Sequence, residues 1–155
     1  MQIIHSADIQ IKNREKNLYM ASQNTLKQIE SIIEKTETPI YVIAGDLFEY
    51  ATPTESERQL IYNHISRLLN IETLKELVIM LGNHDLIKDK KQSENNVGYN
   101  SISVFTEMLN TLDEKLASKL IYIKNSGIYQ SKVCPVINWI GYSLEDNGQP
   151  NIENI

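Results

Sequence analysis

The chain alternates short apolar runs with longer stretches of helical spacing, and three of the apolar runs end in groups able to bind a cation. Ile3-Ile4 leads into His5-Ser6-Ala7-Asp8, Ile40-Tyr41-Val42-Ile43-Ala44 into Gly45-Asp46, and Leu77-Val78-Ile79-Met80-Leu81 into Gly82-Asn83-His84-Asp85. Short apolar, β-branched runs bounded by polar punctuation predict buried strands. Between the first two, Leu18, Ser22, Leu26, Ile29 and Ile33 share one helical face, and the Thr38-Pro39 break ends that helix. Between the second and third, Leu60, Ile61, His64, Ile65, Leu68 and Leu69 form another apolar face. Thr54 is predicted to cap this second helix, with Glu57 reaching back to complete the cap.

Positions 8, 46 and 83 are separated by intervals of 38 and 37 residues. Such an interval holds one strand, one helix and two loops, so the pattern predicts successive βα units and parallel strands. Asp8, Asp46 and Asn83 would then share the carboxyl edge of one sheet, where open α/β folds keep their ligands. His5 precedes Asp8 by three positions, so in a regular strand it faces the other way and reads as core or supporting. His64 reads as a packed histidine on its helix face.

Further along, residues 88–100 are too polar for a strand or a core helix and predict a long loop after the third motif. Helical spacing returns at Ile102, Phe105, Met108, Leu109 and Leu112, followed by strand-like runs at Leu120 to Ile123 and Val133 to Ile140. Residues 145–155 carry turn formers without periodicity.

The length of 155 residues and 41% hydrophobic content suit a single domain over 1–155. A net charge of -5 argues against holding nucleic acid by bulk electrostatics, so DNA binding must be argued locally. Lys88, Lys90 and Lys91 are the candidate phosphate contacts. The single cysteine, Cys134, excludes an intrachain disulfide and suits a reducing cytosol. The opening residues lack the pattern of a signal peptide, and no apolar run reaches the ~20 residues needed to span a bilayer. The expectation is a soluble cytoplasmic protein that makes no use of a membrane.

Asp8 and Asp46 are hard oxygen donors and Asn83 adds a neutral one, a set suited to Mg²⁺ or Mn²⁺ rather than to a thiolate-seeking metal. A carboxylate shared by two ions ~3.5–4 Å apart serves in-line phosphoryl displacement, and Asp46, from the middle unit, is the natural bridge. His84 would stand beside the ions as a proton donor to the leaving oxygen or to the developing charge.

Asp8-Ile9-Gln10, Gly45-Asp46-Leu47-Phe48 and Gly82-Asn83-His84-Asp85 resemble the first three motifs of the calcineurin-like metallophosphoesterases. Within that superfamily the opening Ile3-Ile4-His5-Ser6-Ala7-Asp8, the Gly-Asp-Leu-Phe and the following Pro53 resemble SbcD-type DNA repair nucleases. The variant Asp8-Ile9-Gln10-Ile11-Lys12-Asn13 is similar to forms from phage and large-virus exonuclease subunits. The resemblance implies an α/β layered sandwich (αββα), of which this chain holds the N-terminal half with mainly parallel βαβ units. It also implies a nuclease using two Mn²⁺ ions, with Mg²⁺ as the alternative. Such an enzyme acts on DNA in recombination and repair with an SbcC-like, SMC-type ATPase, as a homodimer when full-length, in the cytoplasm of a bacterium or a phage-infected host. By that likeness Asp8 and Gln10 hold the first metal, Asp46 bridges, Asn83 holds the second, and His84 assists catalysis.

Two departures qualify the likeness. The family's first motif is Asp-x-His, and Gln10 stands where that histidine would be, a weaker neutral donor. The family also completes its site with a later histidine and a Gly-His-x-His, whereas this sequence has no histidine after His84. The expectation is therefore an incomplete domain, inactive alone: part of a longer protein, a split subunit, or a degenerate one. Two other functions fit the same motifs. One is a catalytically dead module that docks an SbcC-like ATPase or DNA ends, and the other is a general phosphoesterase.

Overall fold

The computed structural model describes residues 1–13, 16–50, 52–80, 82, 85, 101–123 and 126–141, with backbone alone for 101–104. Its elements are β1 (Ile3–Ser6), α1 (Lys16–Thr36), β2 (Ile40–Ala44), α2 (Glu55–Asn70), β3 (Glu76–Met80), α3 (Ser101–Asn110), α4 (Glu114–Ala117), β4 (Leu120–Ile123), β5 (Gly127–Gln130) and β6 (Asn138–Gly141). The predicted loop over 88–100 and the residues from 142 onward lie outside the described set.

Strands β1 to β4 form a parallel sheet in the order β1-β2-β3-β4. Ser6 pairs with Ile43, Ala44 with Met80 and Met80 with Ile123, so the carboxyl ends of all four strands finish nearly level. The loops that leave β1, β2 and β3 therefore emerge side by side, as the spacing predicts. The order does not reverse among the described strands, so this edge is a row of neighbouring βα loops rather than a crevice at a switch in strand order.

Side-chain alternation divides the sheet into two packing faces. Tyr41, Ile43, Leu77 and Ile79 face the helices, packing with Leu26 and Ile33 of α1, with Ile61, Ile65, Leu68 and Leu69 of α2, and with Phe105 and Leu109 of α3. Val78, Ile121 and Ile123 face the opposite way, toward Tyr129 and Trp139 of the antiparallel β5–β6 hairpin. The described layers are thus helices, a four-stranded sheet and a two-stranded sheet. This mixed α/β architecture agrees with the predicted fold class. Among the described residues, no helix is long and apolar enough to cross a membrane.

The helix boundaries follow from local chemistry. Thr54 Oγ1 accepts from the Glu57 N–H while the Glu57 carboxylate accepts from the Thr54 N–H, the predicted capping box. At the end of α1 the Thr38 N–H reaches Ile33 O and the Glu37 N–H reaches Glu34 O, with Glu37 left-handed at φ 51. This is a Schellman stop with a glutamate where glycine is usual.

The hairpin departs from the predicted continuous strand over Val133 to Ile140, for only 138–140 of that run are extended in β6, and β5 at Gly127–Gln130 lacked a clear apolar signal. Cys134-Pro135 breaks the run, since proline has no N–H for a ladder. The buried Glu76 also gathers the turn before β6. Its carboxylate accepts from Ser131 Oγ at 2.9 Å, from the N–H groups of Lys132 and Val133, and from Trp139 Nε1 at 2.7 Å. Gly141 lies so close to β4 that an added Cβ would meet Ile123 Cγ2 at 2.1 Å.

Candidate metal centre

Beyond Ser6 the chain leaves the β1 ladder and runs alongside the loop that follows β2. Gln10 N–H donates to Asp46 O at 2.9 Å, Ile11 N–H to Leu47 O at 3.0 Å, and Glu49 N–H to Ile11 O at 3.1 Å. Ile11 and Phe48 form a parallel bridge, and Ile11, Leu47 and Phe48 are all buried. The Phe48 ring meets Phe105 edge-on, with centroids 5.5 Å apart. Apolar anchoring of alternate residues leaves Asp8, Gln10 and Asp46 along the edge.

The backbone there is strained. Positive φ occurs at Asp8 (53), Gln10 (46), Gly45 (85) and Asp46 (51), and elsewhere among the described residues only at Glu37. A left-handed non-glycine residue costs on the order of 1–3 kcal/mol and persists when its surroundings over-determine it, which is commonest at functional sites. Regular strand geometry therefore does not extend to Asp8, and alternation from His5 cannot fix which way Asp8 points. His5 itself is exposed rather than core.

The third motif joins this edge through Gly82 and Asp85. A Cβ on Gly82 would lie 1.9 Å from Asp46 Oδ1 and 2.3 Å from Asp46 N, so only glycine permits this approach. Gly45 N–H donates to Met80 O at 3.0 Å, which ties the same two loops together. Asp85, grouped by the sequence with the polar strand-end side chains, is fully buried and turned inward. Its Oδ2 accepts from Gly82 N–H at 2.8 Å and Leu47 N–H at 3.2 Å, and its Oδ1 from Phe48 N–H at 2.9 Å. Burial pushes the Asp85 carboxyl above the usual range and the nearby Asp46 charge adds to this, against the lowering by the three N–H donors.

Asp8 is exposed, Gln10 half-buried, and Asp46 8% exposed. A cleft of about 390 Å³ opens beside Asp8 and Gln10, walled by Lys12 and, from α1, by Leu18, Ser22 and Thr25. Leu18, predicted on the buried helix face, is 37% exposed and borders this cleft. Lys12 lies 3.7 Å from Glu49. Asn13 N–H donates to Glu57 Oε1 at 2.6 Å, so the residue that caps α2 also holds the end of the first loop.

Asn83, His84, Lys88, Lys90 and Lys91 lie outside the described residues. Among the described residues, no three His, Cys, Asp or Glu side chains group as ligands. What Asp8, Gln10 and Asp46 present is an all-oxygen donor set on one edge, which fits a hard divalent cation. The sequence missed the inward role of Asp85 and the dual role of Glu57. A carboxylate followed by Leu86-Ile87 was the signal in the first case, but the N–H groups of Phe48 and Leu47 lie 37 and 38 residues away.

His64 belongs to a separate cluster. Its Nδ1 pairs with Glu30 Oε1 at 2.6 Å, and Arg67 Nε approaches Glu30 Oε2 at 2.9 Å. Burial lowers the His64 pKa and outweighs the raising effect of Glu30. Burial would raise Glu30, but hydrogen bonds and charge from its two partners bring it below its usual value. His64 is the packed histidine that its helix face predicted.

The sequence profile of the calcineurin-like phosphoesterases matches residues 1–150. Over 87 residues the chain is 32% identical to the SbcD component of the SbcCD nuclease of Staphylococcus epidermidis, covering 55% of this chain and 23% of that protein. Over 93 residues it is 30% identical to the DNA double-strand break repair protein Mre11 of Methanopyrus kandleri, covering 58% of this chain and 20% of that one. The chain thus matches roughly a fifth of the length of each relative. With the first two strand-end motifs on one strained edge, Gly82 and Asp85 of the third packed beside them, and a match that runs nearly end to end, this chain belongs to the calcineurin-like phosphoesterase family.

Proposed function

We propose that the carboxyl edge of the sheet holds divalent metal, Mn²⁺ first and Mg²⁺ as the alternative, and that the chain contributes this edge to a nuclease that hydrolyses DNA phosphodiesters. The observation that carries the reading is the bond from the Gln10 N–H to Asp46 O on strained backbone that also includes Asp8, with Gly82 pressed against the Asp46 carboxylate. The names of the two relatives, a nuclease component and a double-strand break repair protein, support DNA as the substrate.

In this reading Asp8 and Gln10 would hold one ion, Asp46 would be shared, and Asn83 would hold the other. Bound ions of this kind acidify water and neutralise phosphate charge. His84 gives a proton to the leaving oxygen. The buried Asp46 needs no large rearrangement to bind, since Gly82 and the Gln10 N–H already constrain its peptide and side chain. Lys88, Lys90 and Lys91 supply local positive charge to the DNA backbone on a chain whose net charge is -5. The partner is an SbcC-like ATPase, and the compartment is the cytoplasm.

Cleavage of linear duplex DNA with Mn²⁺ tests the proposal by comparing the chain, supplied together with the polypeptide that completes its site, with the same assembly carrying Asp46→Ala. Cleavage that depends on Asp46 is expected, and equal activity in both overturns the reading. Hydrolysis of small phosphomonoesters without cleavage of DNA would overturn the choice of substrate.

A second reading, a catalytically dead module that docks the ATPase or DNA ends, is favoured by Gln10, a neutral amide on the metal edge. Calorimetric titration with Mn²⁺ separates the two. Tight binding of two ions counts against the dead module.

A further inference from the structure

We propose that Asp85 is the positioning residue of this edge: it never touches metal or substrate, and it sets the geometry of the groups that do. The inference rests on the metal-binding reading above. A fully buried carboxylate is costly to desolvate, and hydrogen bonds to it offset part of that cost. Three N–H groups supply them, and they come from two separate loops: Leu47 and Phe48 after β2, Gly82 after β3. The Asp85 N–H returns a bond to Gly82 O at 3.2 Å, closing the second loop on itself.

The connectivity makes this a clamp rather than a simple turn. Leu47 directly follows Asp46, Gly82 directly precedes Asn83, and Asp85 directly follows His84. Asp46, Asn83 and His84 are thus each one peptide away from a bond to the same carboxylate. Neither loop can shift relative to the other without breaking a charge-assisted bond, and Gly82 holds the Asp46 carboxylate at closest approach. Oδ2 takes two of the donors and Oδ1 the third, so both oxygens are needed. An amide at position 85 could keep the pair on its oxygen but would turn an NH₂ toward the Phe48 N–H.

The test is Mn²⁺ calorimetry on the wild type, Asp85→Asn, Asp85→Ala and Asp46→Ala, each shown to be folded by circular dichroism. Supporting partners of metal ligands typically contribute about 10–100-fold in affinity. Asp85→Asn is expected near the low end of that range and Asp85→Ala near the high end. Wild-type affinity in both Asp85 variants overturns this proposal while leaving the metal site intact. Absence of Mn²⁺ binding to the wild type overturns both readings. A second measurement needs no variant: with diamagnetic Mg²⁺, the amide resonances of Leu47, Phe48 and Gly82 should shift together in the wild type. Mg²⁺ binding without those shifts overturns the proposal.

Discussion

Gly82 and the carboxylate of Asp46 are in such close contact that a methyl group on Gly82 would sit 1.9 Å from Asp46 Oδ1. This contact joins two βα loops that are distant in sequence, and it explains why the third motif begins with glycine. Gly82→Ala must displace Asp46 or the loop itself. The expected cost is about 1–3 kcal/mol, as for other overpacked sites, together with weaker Mn²⁺ binding. Urea denaturation measures the first effect. Gly127 is the control, because its added Cβ would meet only Tyr129 Cε2 at 3.7 Å.

Gln10→His should tighten Mn²⁺ binding, since imidazole is the stronger donor. The backbone at φ 46 is no obstacle, because histidine is among the residues enriched in the left-handed region. Calorimetry reads the result. Unchanged affinity would remove residue 10 from the ligand set.

At the end of α1, Glu37 occupies the left-handed position of a Schellman stop. Glu37→Gly relieves about 1–2 kcal/mol of backbone strain and gives back about 0.5–1 in unfolded-chain entropy. A net gain of up to about 1.5 kcal/mol is expected from the difference. Thermal denaturation should therefore show a higher Tm.

Trp139, the only tryptophan, reports on the hairpin through its 2.7 Å bond to Glu76. Glu76→Ala leaves that indole N–H and the donors at Ser131 and Lys132 without their acceptor, while the Val133 N–H keeps Ser131 Oγ. A loss of about 2–4 kcal/mol is expected from donors left unsatisfied at about 1–3 kcal/mol each, some of which regain water. Trp139 emission should shift to the red as the hairpin detaches from the sheet.

Stability should fall in mild acid through His64. Its folded pKa lies below the ordinary 6.5 because it is buried, so the unfolded chain binds the proton more readily. The contribution is fully present above pH 6.5 and is lost as the pH drops from there toward the folded value. Glu30 on α1 and Arg67 on α2 face the imidazole, the first opposing and the second reinforcing the shift. Denaturation of His64→Gln across this window should show a flatter pH dependence than the wild type.

The features legible in the sequence depend on neighbours a few residues apart. The capping box at Thr54 and Glu57 spans three residues, and the packed face of α2 repeats at helical spacing. The level carboxyl ends of β1, β2 and β3 followed from the near-equal intervals between Asp8, Asp46 and Asn83. These patterns were enough for the parallel sheet and for the shared carboxyl edge, and the motif residues themselves carried the resemblance to the family.

Other features were decided by partners that local patterns cannot name. Asp85 reads as one more polar group at a strand end until the Phe48 N–H, 37 residues away, turns it inward. The break in the run from Val133 to Ile140 becomes a docked hairpin because Glu76 lies opposite, 63 residues before Trp139. Leu18 fits its helix face by spacing, yet a cleft leaves it exposed. A buried carboxylate takes whichever N–H groups the assembled fold brings within reach, and only tertiary structure determines which those are.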